Sequence, residues 1–163
     1  MPTTVLKHPT HGNYSQSQSL VVEGTHPYAG WVTHLLNNRY SVTAPAQCLL
    51  QHLWPTILPT RAVTLTGFPM NASIQEVLRE ADQLGFNLPK PDLAGFLMEM
   101  LPVSYFKNQG IDSLIVMHEP IAVNDAGPSR LMLSYDGQGI SLSTYCHDYD
   151  GRLPQRCGYA FIM

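Results

Sequence analysis

A continuous apolar run, Leu114-Ile115-Val116-Met117, stands between Asp112-Ser113 and the polar pair His118-Glu119. Four consecutive apolar residues are too few to span a membrane and lack the gaps of an amphipathic helix, so they predict a strand near 113–118 covered on both faces. That makes it the expected central strand. Pro120 carries no N–H, so the pairing of this strand should stop where His118 and Glu119 surface.

Shorter patterns place the other strands. Ala62-Val63-Thr64-Leu65-Thr66, rich in β-branched residues and bounded by Gly67 and Pro69, predicts a strand near 61–67. Two runs near 130–135 and 140–145 flank Asp136-Gly137-Gln138-Gly139 and read as a hairpin whose glycines supply positive φ. A last apolar strand falls near 158–163. Leu20 to Glu23 and the alternating Arg39 to Thr43 are brief strand candidates.

Helical spacing appears in four stretches. Tyr28, Trp31, Val32, Leu35 and Leu36 predict a helix near 27–37, with Thr25 as cap and Pro27 in its first turn. Cys48, Leu49, His52 and Leu53 predict another near 46–54, stopped by Pro55. Ser73-Ile74-Gln75-Glu76 is a capping box opening a helix near 73–84, and Gly85 should end it in the left-handed conformation. Leu93, Phe96, Leu97, Met100 and Leu101 predict a helix near 92–101 behind Asp92 as N-cap, followed by a further turn from Val103 to Asn108 closed by Gly110.

Two helices between the strands at Ala62 and Leu114 permit those strands to be parallel neighbours. Helices early and strands late predict an α+β fold, one mostly antiparallel sheet with helices against one face. Residues 1–19 are polar and read as a flexible arm; residues 20–163 form a single domain.

Composition sharpens this reading. The chain has 163 residues, of which only 13% are charged, about half the usual share. The polar surface must then rely on Gln, Asn, Ser, Thr and the seven His. Such a surface tolerates association, so a homo-oligomer, most simply a homodimer, is expected. A net charge of −3 with nine singly spread basic residues argues against nucleic acid as partner. The pattern shows neither a signal-like start nor a membrane-length apolar stretch, so the expected compartment is the cytoplasm and no membrane partner is expected.

The chemistry-bearing residues are sparse. A Gly-x-Ser-x-Gly elbow, a P-loop, a His-Glu-x-x-His pair and a dinucleotide fingerprint are all missing. One constellation stands out. If the loops after Met117 and Tyr145 open at the same end of the sheet, His118, His147 and Asp148 could ligate a divalent metal, and His118, Glu119, His147 and Asp148 could do acid/base work. The plainer reading makes His118 a hydrogen-bonded strand-end residue; adjacent strand residues also point to opposite faces, which separates His118 from Glu119.

Cys146, His147 and Cys157 match no common zinc spacing, and in the cytoplasm their thiols should be free and buried. His34 lies between apolar positions and should be exposed. The aromatic supply, including Tyr105 and Phe106, suits either a core or a small apolar pocket. The functional expectation is a non-catalytic binding or regulatory module for a protein partner or small apolar ligand, with no cofactor. The alternative is a small metal-dependent or acid/base enzyme built on the His/carboxylate cluster.

Overall fold

A computed structural model describes residues 6–7, 18–22, 30–53, 61–67, 72–122, 127–146, 153–154 and 156–163. In chain order the elements are β1 (Leu6–Lys7), β2 (Gln18–Val22), α1 (Trp31–Asn37), β3 (Ser41–Val42), α2 (Ala44–Leu50), β4 (Arg61–Gly67) and α3 (Ile74–Gln83). There follow α4 (Leu93–Met100), α5 (Val103–Gln109), β5 (Ser113–Val116), β6 (Ile121–Ala122), β7 (Pro128–Tyr135), β8 (Ile140–Cys146) and β9 (Cys157–Ile162). The described strands join one sheet in the order β1-β2-β4-β9-β5-β7-β8-β3, with β6 also paired to β7. Only β5 with β9 and β3 with β8 run parallel. The fold is α+β, with a mostly antiparallel mixed sheet.

The apolar run does form the central strand. β5 lies between β9 and β7, and every one of its residues is buried. Because alternate strand residues point to opposite faces, Leu114 and Val116 feed one core while Ile115 and the following Met117 feed another. On the first face Leu114, Val116, Leu131, Leu133 and Leu142 pack with Leu35, Leu49, Leu97 and Phe106, from α1, α2, α4 and α5. On the second, Ile115, Met117, Tyr159 and Phe161 pack with Ile74, Val77 and Ala81 of α3. Helices therefore lie on both faces, where helices against one face were expected.

Strand order does not take up the parallel pairing that the crossover permits. β4 and β5 are not parallel neighbours: β9 lies between them, antiparallel to β4 and parallel to β5. Gly158 makes room for this insertion, since a Cβ there would stand 3.0 Å from the Ile111 side chain and 3.2 Å from that of Leu114. At the sheet's margin Leu6 and Lys7 pair with Ser19 and Gln18, a short ladder inside the stretch expected to be an arm.

Local signals behave as their chemistry dictates, with two departures. The capping box at Ser73 is complete: Glu76 N–H donates to Ser73 Oγ at 3.2 Å, and Ser73 N–H donates to the Glu76 carboxylate at 2.7 Å. These bonds hold the Glu76 carboxyl below its ordinary range. Replacing Ser73 with Ala should cost about 1 kcal/mol in chemical denaturation, and a loss below about 0.3 kcal/mol would mean that α3 does not depend on its cap. Gly85 closes α3 at φ 75° and Gly110 closes α5 at φ 64°.

Asp92 precedes α4 as expected but makes no side-chain cap bond. The first N–H groups of α4 instead reach back, Leu93 to Lys90 O and Ala94 to Pro91 O, each at 3.1 Å, so no side-chain acceptor is required. His34, expected to be exposed, is half-buried and its Nε2 bonds Glu99 Oε1 of α4. Partner choice across helices overrode its position on its own helix. The expected cap at Thr25 and first turn at Pro27 lie outside the described residues.

Candidate functional site

The end of β5 carries the most information. β5 pairs with β7 through Ile115↔Met132, and β6 resumes on β7 through Ile121↔Ser129. Between those pairs β7 spends two residues, Arg130 and Leu131, where the opposing chain spends five, Val116 to Pro120. The ladder therefore opens into a wide bulge. Leu131, wholly buried, would be left with an orphaned N–H.

His118 fills that gap. Its Nε2 accepts from Leu131 N–H at 2.8 Å, and its Nδ1 donates to Glu119 O at 2.6 Å. Both partners are backbone groups with a single possible role, so they settle the tautomer: Nδ1 carries the proton and Nε2 offers its lone pair inward. The backbone of His118 contributes as well, its carbonyl accepting from Arg130 Nε at 2.8 Å. The ring is wholly buried. Burial drops its pKa to about 4, against the pull of the Glu119 carbonyl, and the nearby Arg130 charge lowers it further. His118 is thus neutral at physiological pH, with both nitrogens committed to backbone.

Those bonds bear directly on the predicted cluster. A ring whose only lone pair already holds a buried N–H has none left for a metal or a substrate proton unless the bulge opens. Glu119 points away, exposed, so the two adjacent side chains do not converge. His147 and Asp148 lie outside the described residues. Among the described residues no group of three His, Cys, Asp or Glu side chains could hold a metal ion. Comparison of the chain with family models, curated proteins and solved structures finds no match.

None of the three cysteines is in a disulfide. Cys157 Sγ donates to Gly158 O at 3.3 Å, and burial pushes its pKa up to about 12, so it stays protonated and weakly nucleophilic near neutrality. Neighbouring Tyr145 and Tyr159 are pushed up too, mainly by burial.

At the opposite end of β5 lies a groove of about 450 Å³. Its apolar wall is Phe106 and Ile111 with Tyr135 of β7, the Phe106 and Tyr135 rings standing 5.9 Å apart. Tyr135 is held in place by its hydroxyl, which donates to Gly137 O at 2.9 Å. The rim is charged: Lys107, Asp136, and Asp112 paired with Arg156. Arg156 donates to Asp112 from Nε at 2.9 Å and from Nη2 at 2.7 Å, a two-pronged clamp. It does so from a left-handed backbone, φ 55°, uncommon for a residue with a Cβ. The Asp112 N–H donates to Arg156 O at 2.9 Å, tying the start of β9 to the start of β5.

By sequence Tyr105 and Phe106 suit either a core or a small apolar pocket; Phe106 is wholly buried in the core and backs the groove. No local pattern marks Arg156 as a groove residue, because its partner Asp112 lies 44 residues away. Arg130 was also passed over. Its signal was faint: a lone charge opening an otherwise buried strand.

Proposed function

We propose that this protein is a non-catalytic binding module whose ligand occupies the groove between α5, the β7–β8 turn and the start of β9. The observation that carries this reading is the groove itself: it has the volume usual for small-molecule sites, an apolar wall and a few convergent polar groups. A small ligand with an apolar body would lie against Ile111 and Tyr135, with the buried Phe106 ring behind them. Its polar end would meet Lys107 or the Asp112–Arg156 clamp. The neutral, doubly bonded His118 and the protonated Cys157 weigh against an acid/base or thiol role for those two groups.

Within this reading the protein is cytoplasmic and homodimeric, and its partners are small molecules or proteins rather than nucleic acid or membrane. The first support is the weakly charged surface; the second is that no helix among the described residues is long and apolar enough to cross a membrane.

A fragment screen read by backbone amide NMR tests it. Binders should perturb resonances clustered on Phe106, Ile111, Tyr135 and Arg156, and Ile111→Glu should weaken them at least about tenfold by placing an unpaired charge on the apolar wall. Binders that map elsewhere, or that ignore the substitution, would remove the groove from consideration.

A further inference from the structure

Far from that groove, at the His118 end of the sheet, stands a charge without an ion-pair partner among the described residues. Arg130 is 3% exposed, and among the described residues the hydrogen-bond partner of its guanidinium is the His118 carbonyl, which accepts from Nε. Among the described residues no carboxylate forms an ion pair with it. Glu119 is exposed and acts on Arg130 only through its field. Buried guanidinium groups are normally paired, because an uncompensated charge in a low-dielectric site is costly.

A second unmet polar group faces the same place. Tyr145 sits directly across from Arg130 in the β7–β8 register, so both side chains leave the same face of the sheet. Its hydroxyl is buried and has no hydrogen-bond partner among the described residues. Neighbouring Met117 and Met132 offer no strong acceptor, and the Cys157 thiol is a poor one. A planar fork of N–H donors beside an O–H donor, walled by apolar groups and short of acceptors, is complementary to an oxyanion.

We propose that Arg130 and Tyr145 bind a small oxyanion, a carboxylate or phosphate group, on the α3 face of the sheet. Arg130 supplies the charge and its outer N–H groups, while Tyr145 supplies one further donor. Glu119, at the margin, disfavours occupancy by like charge. This site is separate from the groove and does not depend on its ligand.

Thermal unfolding of the whole protein in rising inorganic phosphate, with acetate as a second arm and chloride at equal ionic strength as reference, is the test. Phosphate or acetate should raise the midpoint saturably, and whichever does so identifies the group preferred. Tyr145→Phe should be as stable as wild type without anion, since the lost hydroxyl had no partner, yet bind about tenfold more weakly. Glu119→Gln should bind more tightly. Arg130→Gln should abolish the shift, with Arg130→Lys as the charge-preserving variant if the first fails to fold.

Three results would overturn the proposal. The first is a midpoint that follows chloride as closely as phosphate and acetate. Another is an anion-free Tyr145→Phe protein much less stable than wild type, which would show the hydroxyl already partnered. The last is a Glu119→Gln protein that loses stability and gains no affinity, which would make Glu119 the counter-charge.

Discussion

Acidification from pH 6.5 to pH 4 should strip roughly 3 kcal/mol of folding stability from this protein through His118 alone. Its ordinary pKa of 6.5 applies to the unfolded chain, whereas the buried ring holds off protonation until about 4. Between those values the unfolded state binds a proton that the folded state refuses, so protons favour unfolding. The contribution is therefore complete above 6.5, declines as pH falls, and is gone below about 4. Each unit of separation corresponds to about 1.4 kcal/mol.

The same residue makes a second effect expected at neutral pH. His118→Ala removes the acceptor of the buried Leu131 N–H and leaves a void in the bulge, which should cost about 2–4 kcal/mol. Urea denaturation of both proteins from pH 8 to pH 4 joins the two expectations. The gap between wild type and variant should be widest at the alkaline end and shrink through the acid range. A gap that stays constant with pH would mean that the ring is not held neutral by the fold.

Phe161→Ala should produce the other large loss, about 3–5 kcal/mol. Phe161 is wholly buried on β9, its ring 5.9 Å from that of Phe86, in the cluster that Ile74, Val77 and Ala81 of α3 complete. Being the only described helix on that face, α3 has no neighbouring helix to lean on when this ring is lost. Hydrogen exchange should therefore quicken in α3 well before it does in α4, whose contacts lie on the opposite face. Equal acceleration in both helices, or a loss under about 1 kcal/mol, would contradict this two-core account.

Much of the fold was legible one element at a time. The unbroken apolar run at Leu114 announced a strand buried on both faces, and it is one. Ser73 and Glu76 announced a helix start through side chains that reach only three residues, so no distant contact could mislead the reading. The turn at Asp136 was equally local: its carboxylate accepts from Gln138 N–H and Gly139 N–H at 2.8 Å each, and Gly137 takes φ 95°. His118 was read both as a metal or base residue and as a plain hydrogen-bonded strand end. The choice between them rested on a register that periodicity does not carry.

What the amino-acid sequence determined by itself, then, is where most strands, helices and turns fall, because caps, turn carboxylates and apolar spacing act over a few residues, although the helix expected near 46–54 runs Ala44–Leu50. Tertiary structure alone decided that β9 slides between β4 and β5, that α3 crosses to the far face, and that five residues oppose two beside Leu131. Ladder bonds join backbone groups common to all residues, so strand order and register follow from how whole faces pack. The roles of His118, Arg130 and Arg156 come with that packing, each defined by a partner that local sequence does not name.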